Sequence, residues 1–486
     1  MKRNKLLSLL TMIDRKSLRY YEKYLHACYN KDQKPTLLFN YLKKFYPEFN
    51  HKDLHMAGAF CAVYGKDIEQ ALRENPKSTR EKQTKLVSNL FNDLLTILKE
   101  YLSLSYLKNN PLELERTYTK ALRFHQFPEH FEKQLNAYDR KIAKIKQEDI
   151  WYHLRALENK HFRYFHNITP KNSVKETTLQ SALEELDALY LSIKLRYASE
   201  LATRSEVIDA KLVQGITAEI ENLVKNSPRL TDFQQVYHFT YLMLQTKDEN
   251  YFNQLFKIIK SNEVSVTDFE LRIIFTYMAN YTADRIRYGE KSFIRKSFEL
   301  NKIALDRKWL IKEDTFSPFK FLNIISLGCL LQEFKWLSLF IKEWAPFLAE
   351  EARKNTLAFS DAYIAFAKKD YSAALDDIAL IPTKDAIINL RSRILKIQCY
   401  IMMKEFDRDF IIDYWNTSYK YFKNNKNLGE NIRQSALNTL KVIQKILFQS
   451  SPSDKLRLQI QKQDLLFSRE WLQQLIILMD KGAIVL

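Results

Sequence analysis

Glycine is nearly missing from this chain, with 7 residues in 486. A doubly wound α/β enzyme needs glycine in its phosphate loops and tight turns, so this scarcity argues against that fold. Asn-Gly and Asp-Gly pairs, the strongest short-range hairpin signals, do not occur. Cysteine is limited to Cys28, Cys61, Cys329 and Cys399, widely spaced and without a C-x-x-C pair. They read as buried thiols in a reducing compartment. No uninterrupted apolar run is long enough to span a membrane. The opening "MKRNKLLSLLTMIDRK" has a short apolar run, immediate charges and no small-residue cleavage site. The expectation is a cytoplasmic protein without a membrane partner. Dinucleotide, Walker, G-x-S-x-G and H-E-x-x-H motifs are absent as well. No catalytic residue, metal or cofactor is therefore assigned, and the chain reads as non-enzymatic.

What the chain does have is apolar mass and positive charge. Hydrophobic residues make up 46%, enough for a large core, and the net charge is +18. Residues 1–110 hold 20 Lys and Arg against 11 Asp and Glu, so the first quarter carries half of the excess. That balance is compatible with an acidic partner or with nucleic acid.

Helical periodicity dominates. In "KLVSNLFNDLLTILKEYL", Leu86, Leu90, Leu94, Leu98 and Tyr101 recur at helical spacing, and Val87, Phe91 and Leu95 widen the stripe. Six prolines follow a short polar residue: Asn75-Pro76, Asn110-Pro111, Thr169-Pro170, Ser227-Pro228, Ser317-Pro318 and Ser451-Pro452. A polar side chain can cap a helix, and proline at the next position has no N–H to leave unsatisfied. The pattern predicts an all-α protein of about twenty helices with no strand. Three regions are expected: a basic N-terminal helical module (1–109), a long-helix middle region (110–226) and a region of shorter, paired helices (227–486).

The last region shows a repeat. "LQEF" at Leu331–Phe334, "KKDY" ending at Tyr371 and "MKEF" at Met403–Phe406 each break a helical pattern. Their aromatic anchors, Phe334, Tyr371 and Phe406, are 37 and 35 residues apart. Looser anchors are Tyr251 and Tyr288. Ala362, Ala365, Ala373 and Ala374 would sit where paired helices cross closely. Residues 320–422 resemble degenerate tetratricopeptide repeats, which have two helices in about 34 residues. Ala374 and Ala362 fall on that family's small positions and Tyr400 on an aromatic one. Pro382 comes early, and Leu337 and Asp409 stand where alanine is preferred. The resemblance implies an α-solenoid of antiparallel helix pairs. The stretches "LYLSIKLRYASEL" and "FLNIISLGCLLQEFKWLSLFIKEW" are also similar to long all-helical Bacteroidetes proteins without an assigned activity.

Several residue clusters carry candidate chemistry. Arg287, Lys291 and Arg295 lie at i, i+4 and i+8, a stripe that could meet phosphates or an acidic peptide. The alternative is a solvated face neutralised by Glu299, with Gly289 breaking the helix. Glu158-x-x-His161 has the spacing of a di-iron ligand pair but occurs once. His51 and His55 share i, i+4 spacing, yet two ligands do not close a zinc site. "KHFRYFHNITPK", Lys160–Lys171, mixes cations and aromatics as single-strand binders do, or as a packed helix end does. Lys2, Arg3, Lys5, Arg15, Lys16 and Arg19 could contact nucleic acid. The function expected is a scaffold gripping a protein or peptide partner, possibly acidic, on a concave surface. The alternative is a nucleic-acid-binding or regulatory protein that uses the basic N-terminal module.

Overall fold

The computed structural model describes residues 4–65, 77–165, 175–204, 210–227, 229–261, 263–381, 385–403, 407–425, 428–448, 452–463 and 465–482. Among them are 23 α-helices, one 3-10 turn and one small hairpin, so the chain is all-α, as its periodicity predicts. It divides into two compact units, Met1–Lys144 with Phe162–Lys171, and Ile145–His161 with Asn172–Leu486.

Unit 1 contains α1 (Lys5–Met12), α2 (Arg15–Cys28), α3 (Lys34–Lys43), α4 (Met56–Tyr64), α5 (Lys77–Asn109), α6 (Pro111–Phe124) and α7 (Pro128–Ile142). The first four helices and α6 all pack on α5. Val87, Phe91, Leu94 and Leu98 of α5 are buried in one core with Leu25, Leu38 and Phe39. Leu86, expected on that stripe, is 45% exposed. The buried face is centred on Leu94, and Leu86 falls at its edge. The Tyr21 hydroxyl donates to the Leu94 carbonyl at 3.0 Å and Tyr101 to that of Ser17 at 3.1 Å.

Unit 2 runs from α8 (Ile150–Phe165, up to His161) through α9 (Lys175–Ala202), α10 (Ala210–Asn226), α11 (Asp232–Thr246), α12 (Glu249–Ser261), α13 (Asp268–Arg287) and α14 (Ser292–Asp306). It continues with α15 (Pro318–Leu330), α16 (Phe334–Trp344), α17 (Glu350–Ala367), α18 (Tyr371–Ala379), α19 (Ala386–Met402), α20 (Arg408–Asn424), α21 (Glu430–Leu447), α22 (Ser453–Lys462) and α23 (Arg469–Asp480). Its principal helix contacts are all with the next helix or the next but one, as in α9–α11, α11–α13, α15–α17 and α17–α19. Local pairing of this kind is compatible with a helical repeat.

Turns recur without glycine. Five helix ends share one hydrogen-bond pattern, in which a residue with positive φ donates three residues back and its successor donates five back. The positive-φ residues are Gln126, Gly289, Lys308, Gln332 and Lys369. Four of the five therefore hold a side chain in the left-handed region, at a cost of about 1–2 kcal/mol each. Gln332 and Lys369 each precede an anchor aromatic by two positions, and Phe334 and Tyr371 each open a helix. The two corners superpose at the 37-residue offset in backbone bonding as well as in sequence. Tyr288 does not behave so: it is the exposed C-cap of α13, while Tyr251 lies inside α12. Phe406 and Pro382 lie outside the described residues.

The alanines sit at close crossings. Ala362 and Ala374 are fully buried in a core with Phe359, Ile378 and Cys399. One repeat earlier, Gly328 and Leu337 stand where Ala365 and Ala374 stand in the next. A Cβ on Gly328 would lie 2.6 Å from a Leu337 methyl, so that glycine makes the room Leu337 fills. The departure from alanine at Leu337 is thus balanced across the crossing.

Two expectations need correction. Asn110-Pro111 and Ser317-Pro318 do start α6 and α15, but neither polar side chain caps its helix; Asn110 donates backward to the Tyr106 carbonyl. Proline at N1 suffices, since it removes one orphan donor itself. Asn75-Pro76, Thr169-Pro170, Pro228 and Ser451 lie outside the described residues. A hairpin also exists, β1 (Ile311–Lys312) with β2 (Thr315–Phe316), turned by Glu313 and Asp314 at positive φ. Buried Phe316, packed on Phe321 and Phe340, pins a turn that lacks the usual glycine.

Candidate functional site

Arg287, Lys291 and Arg295 do not form one helical stripe. Arg287 ends α13, Gly289 turns the chain at φ 92, and Arg295 belongs to α14. Arg287 pairs with Asp284, and Arg295 with Glu333 at 2.5 Å and Glu299 at 3.9 Å. Lys291 is the exposed N-cap of α14. Glycine breaks the spacing, and two of the three charges are already spent.

The histidine pairs also come apart. His51 lies in a loop, and His55 caps α4 by accepting from the Gly58 N–H at 2.9 Å. No group of three or more His, Cys, Asp or Glu side chains suited to a metal occurs among the described residues, Glu158 and His161 included. In the Lys160–Lys171 stretch, Lys160 pairs with Glu185 and Arg163 with Asp139, while residues 166–171 lie outside the described residues. Lys2 and Arg3 lie outside them too, and Lys5, Arg15, Lys16 and Arg19 are exposed. Cys329 and Cys399 are buried, and burial pushes each thiol up to about 12. Cys28 is exposed at the C-terminal end of α2 and Cys61 is half-buried, both contrary to expectation.

The strongest assembly is on α19. Asp385 caps this helix by accepting from the Ile387 and Ile388 N–H groups at 2.9 Å. Packed between α17, α18 and α20, α19 buries nearly its whole circumference. Between Ile388 and Cys399 only three positions are half-open, and all three hold cations: Arg391, Arg393 and Lys396. Among the described residues none of them forms an ion pair. Arg391 donates to the Asn323 Oδ1 at 2.9 Å and lies over the Phe319 ring at 5.2 Å. Burial pushes its guanidinium down from the ordinary value. On the other flank, Arg393 lies over Tyr421 at 4.6 Å and Tyr414 at 5.9 Å, and Lys396 over Tyr414 at 5.0 Å and Tyr400 at 5.8 Å. Arg393 also donates from Nε to Asn389 at 3.0 Å and from Nη1 to Ser418 at 3.4 Å. Aromatic faces and neutral acceptors hold these charges in place without neutralising them.

Comparison with protein-family models, with curated proteins and with solved structures finds no match to this chain. Motif reading passed over the α19 cations, yet a signal was present. The 17 residues of α19, "AIINLRSRILKIQCYIM", include three cations and no acid. The other polar residues in the middle of this helix, Asn389, Ser392 and Gln398, are uncharged and buried.

Proposed function

We propose that unit 2 is a non-enzymatic, tetratricopeptide-like scaffold whose helix pairs stack as a solenoid and grip an acidic peptide segment at α19. The single observation behind this reading is that every half-open position in the middle of α19 carries a cation with no carboxylate partner. An uncompensated, partly buried charge is costly, and a ligand anion relieves the cost. Principal contacts between near neighbours, and matching corners 37 residues apart, support the stacked arrangement. Nucleic acid fits this face less well, because the cations already cover the ring faces on which bases would stack.

The test is a titration of the full chain with a fluorescent glutamate-rich peptide and, separately, with a single-stranded DNA oligomer. The peptide should bind, weaken with salt, and lose about tenfold or more with Arg391→Gln, the scale of an interface anchor. Unchanged peptide affinity in the Arg391→Gln, Arg393→Gln, Lys396→Gln triple variant, with helicity intact, would remove the proposal. Preferential DNA binding that survives those changes would favour the basic N-terminal module instead.

A further inference from the structure

Arg393 and Lys396 differ from Arg391 in one respect. They share a ring: both cationic groups lie within 6 Å of the Tyr414 centroid, and no carboxylate in the described structure pairs with either. Arg393 retains Nη2 after its bonds to Asn389 and Ser418, and no acceptor among the described residues takes a hydrogen bond from Lys396. The walls are fixed. Tyr414 stacks with Phe410 at an interplanar angle of 9°, Phe410 meets Tyr400 edge-on, and Tyr421 lies under the guanidinium.

Two like charges held on one ring repel each other, and a single carboxylate cancels only one of them. A phosphomonoester carries about −1.5 to −2 at neutral pH and offers three acceptor oxygens, so it matches the pair in charge and in donor count. Arg391, alone on the opposite flank, is matched by a single carboxylate. We infer that Arg393 and Lys396, seated on Tyr414, form a phosphoryl subsite that reads a phosphorylated serine or threonine in the acidic segment. This inference rests on the peptide-binding reading above and narrows it to a modified partner. The modification would then switch the interaction, with α19 as the reader.

The experiment uses the full chain and three fluorescent peptides of one acidic sequence, with serine, glutamate or phosphoserine at the central position. The phosphoserine form should bind at least tenfold more tightly than the serine form, with glutamate between them. Inorganic phosphate should compete only at far higher concentration than the phosphopeptide. That advantage should shrink as pH falls from 7.5 to 5.5, because the phosphate loses its second charge near pH 6. Lys396→Gln keeps most of the stem that covers the rings, and it should bring the phosphoserine and serine peptides to within about twofold of each other, whatever loss of affinity the three peptides share. Equal affinity for the serine and phosphoserine peptides would overturn the inference and leave the acidic-peptide reading standing. A preference that survives Lys396→Gln and Arg393→Gln would overturn it too. If no peptide binds, both readings fall together.

Discussion

Gln332 holds a backbone conformation that favours glycine, and its neighbour Glu333 closes the corner by donating to the Gly328 carbonyl at 2.9 Å. Gln332→Gly should raise stability by about 0.5–1 kcal/mol, since relief of the left-handed strain outweighs the added freedom of the unfolded chain. Urea unfolding checks it through a higher midpoint at unchanged slope. Glu185 makes a second residue-level case. It receives His153 Nδ1 at 2.7 Å and Lys160 Nζ at 2.8 Å. Burial alone would raise its carboxyl, but the His153 and Lys160 hydrogen bonds prevail and hold it below the ordinary value. A depressed carboxylate stabilises the fold above its unfolded value and loses that contribution as pH falls through the folded one. Melting temperature should therefore drop below about pH 4.5, and Glu185→Gln should flatten that limb while costing about 1–3 kcal/mol at pH 7. A pH-independent difference between the two proteins would contradict this account.

At the scale of elements, the α15–α16 and α17–α18 pairs solve one packing problem in two ways. Gly328 against Leu337 and Ala365 against Ala374 fill the same crossing with an uneven and an even division of volume. Gly328→Ala alone should destabilise by about 1–3 kcal/mol through overpacking. Adding Leu337→Ala should recover part of that loss, an interaction that a double-mutant cycle measures. Helix type was legible because apolar spacing of 3 and 4 residues requires little context, and two helix starts because Pro111 and Pro318 mark them. The Phe334 and Tyr371 corners were legible because an aromatic anchor recurs at a fixed offset. The β1–β2 hairpin was not, because Glu313-Asp314 carries no turn signature and the turn depends on buried Phe316. The Arg287–Arg295 spacing left two readings open, and Gly289, named in the second, does break the helix while Glu299 lies 3.9 Å from Arg295. The α19 cations were overlooked because their meaning depends on which positions remain open, and burial on every other side appears only once α15, α17, α18 and α20 are placed.

Over the whole molecule, the two units distribute stability differently. In unit 1 one helix, α5, touches five others, so a defect there is felt everywhere in that unit. Leu94→Ala should cost about 2–5 kcal/mol, and hydrogen exchange should accelerate across α1 to α4 together. In unit 2, the principal helix contacts reach no further than the next helix but one, and longer-range touches such as Arg391 on Asn323 are single side-chain contacts. Gly328→Ala should therefore speed exchange in α15 to α17 and leave α22 and α23 at their original rates. Uniform acceleration throughout unit 2 would show a cooperativity that its contact pattern does not account for.

The corners at Gln126, Lys308, Gln332 and Lys369 have a lasting consequence for how this chain can change. Each bend is written in main-chain amides and carbonyls, not in a required letter, so drift can rewrite the alphabet at every corner while the outline persists.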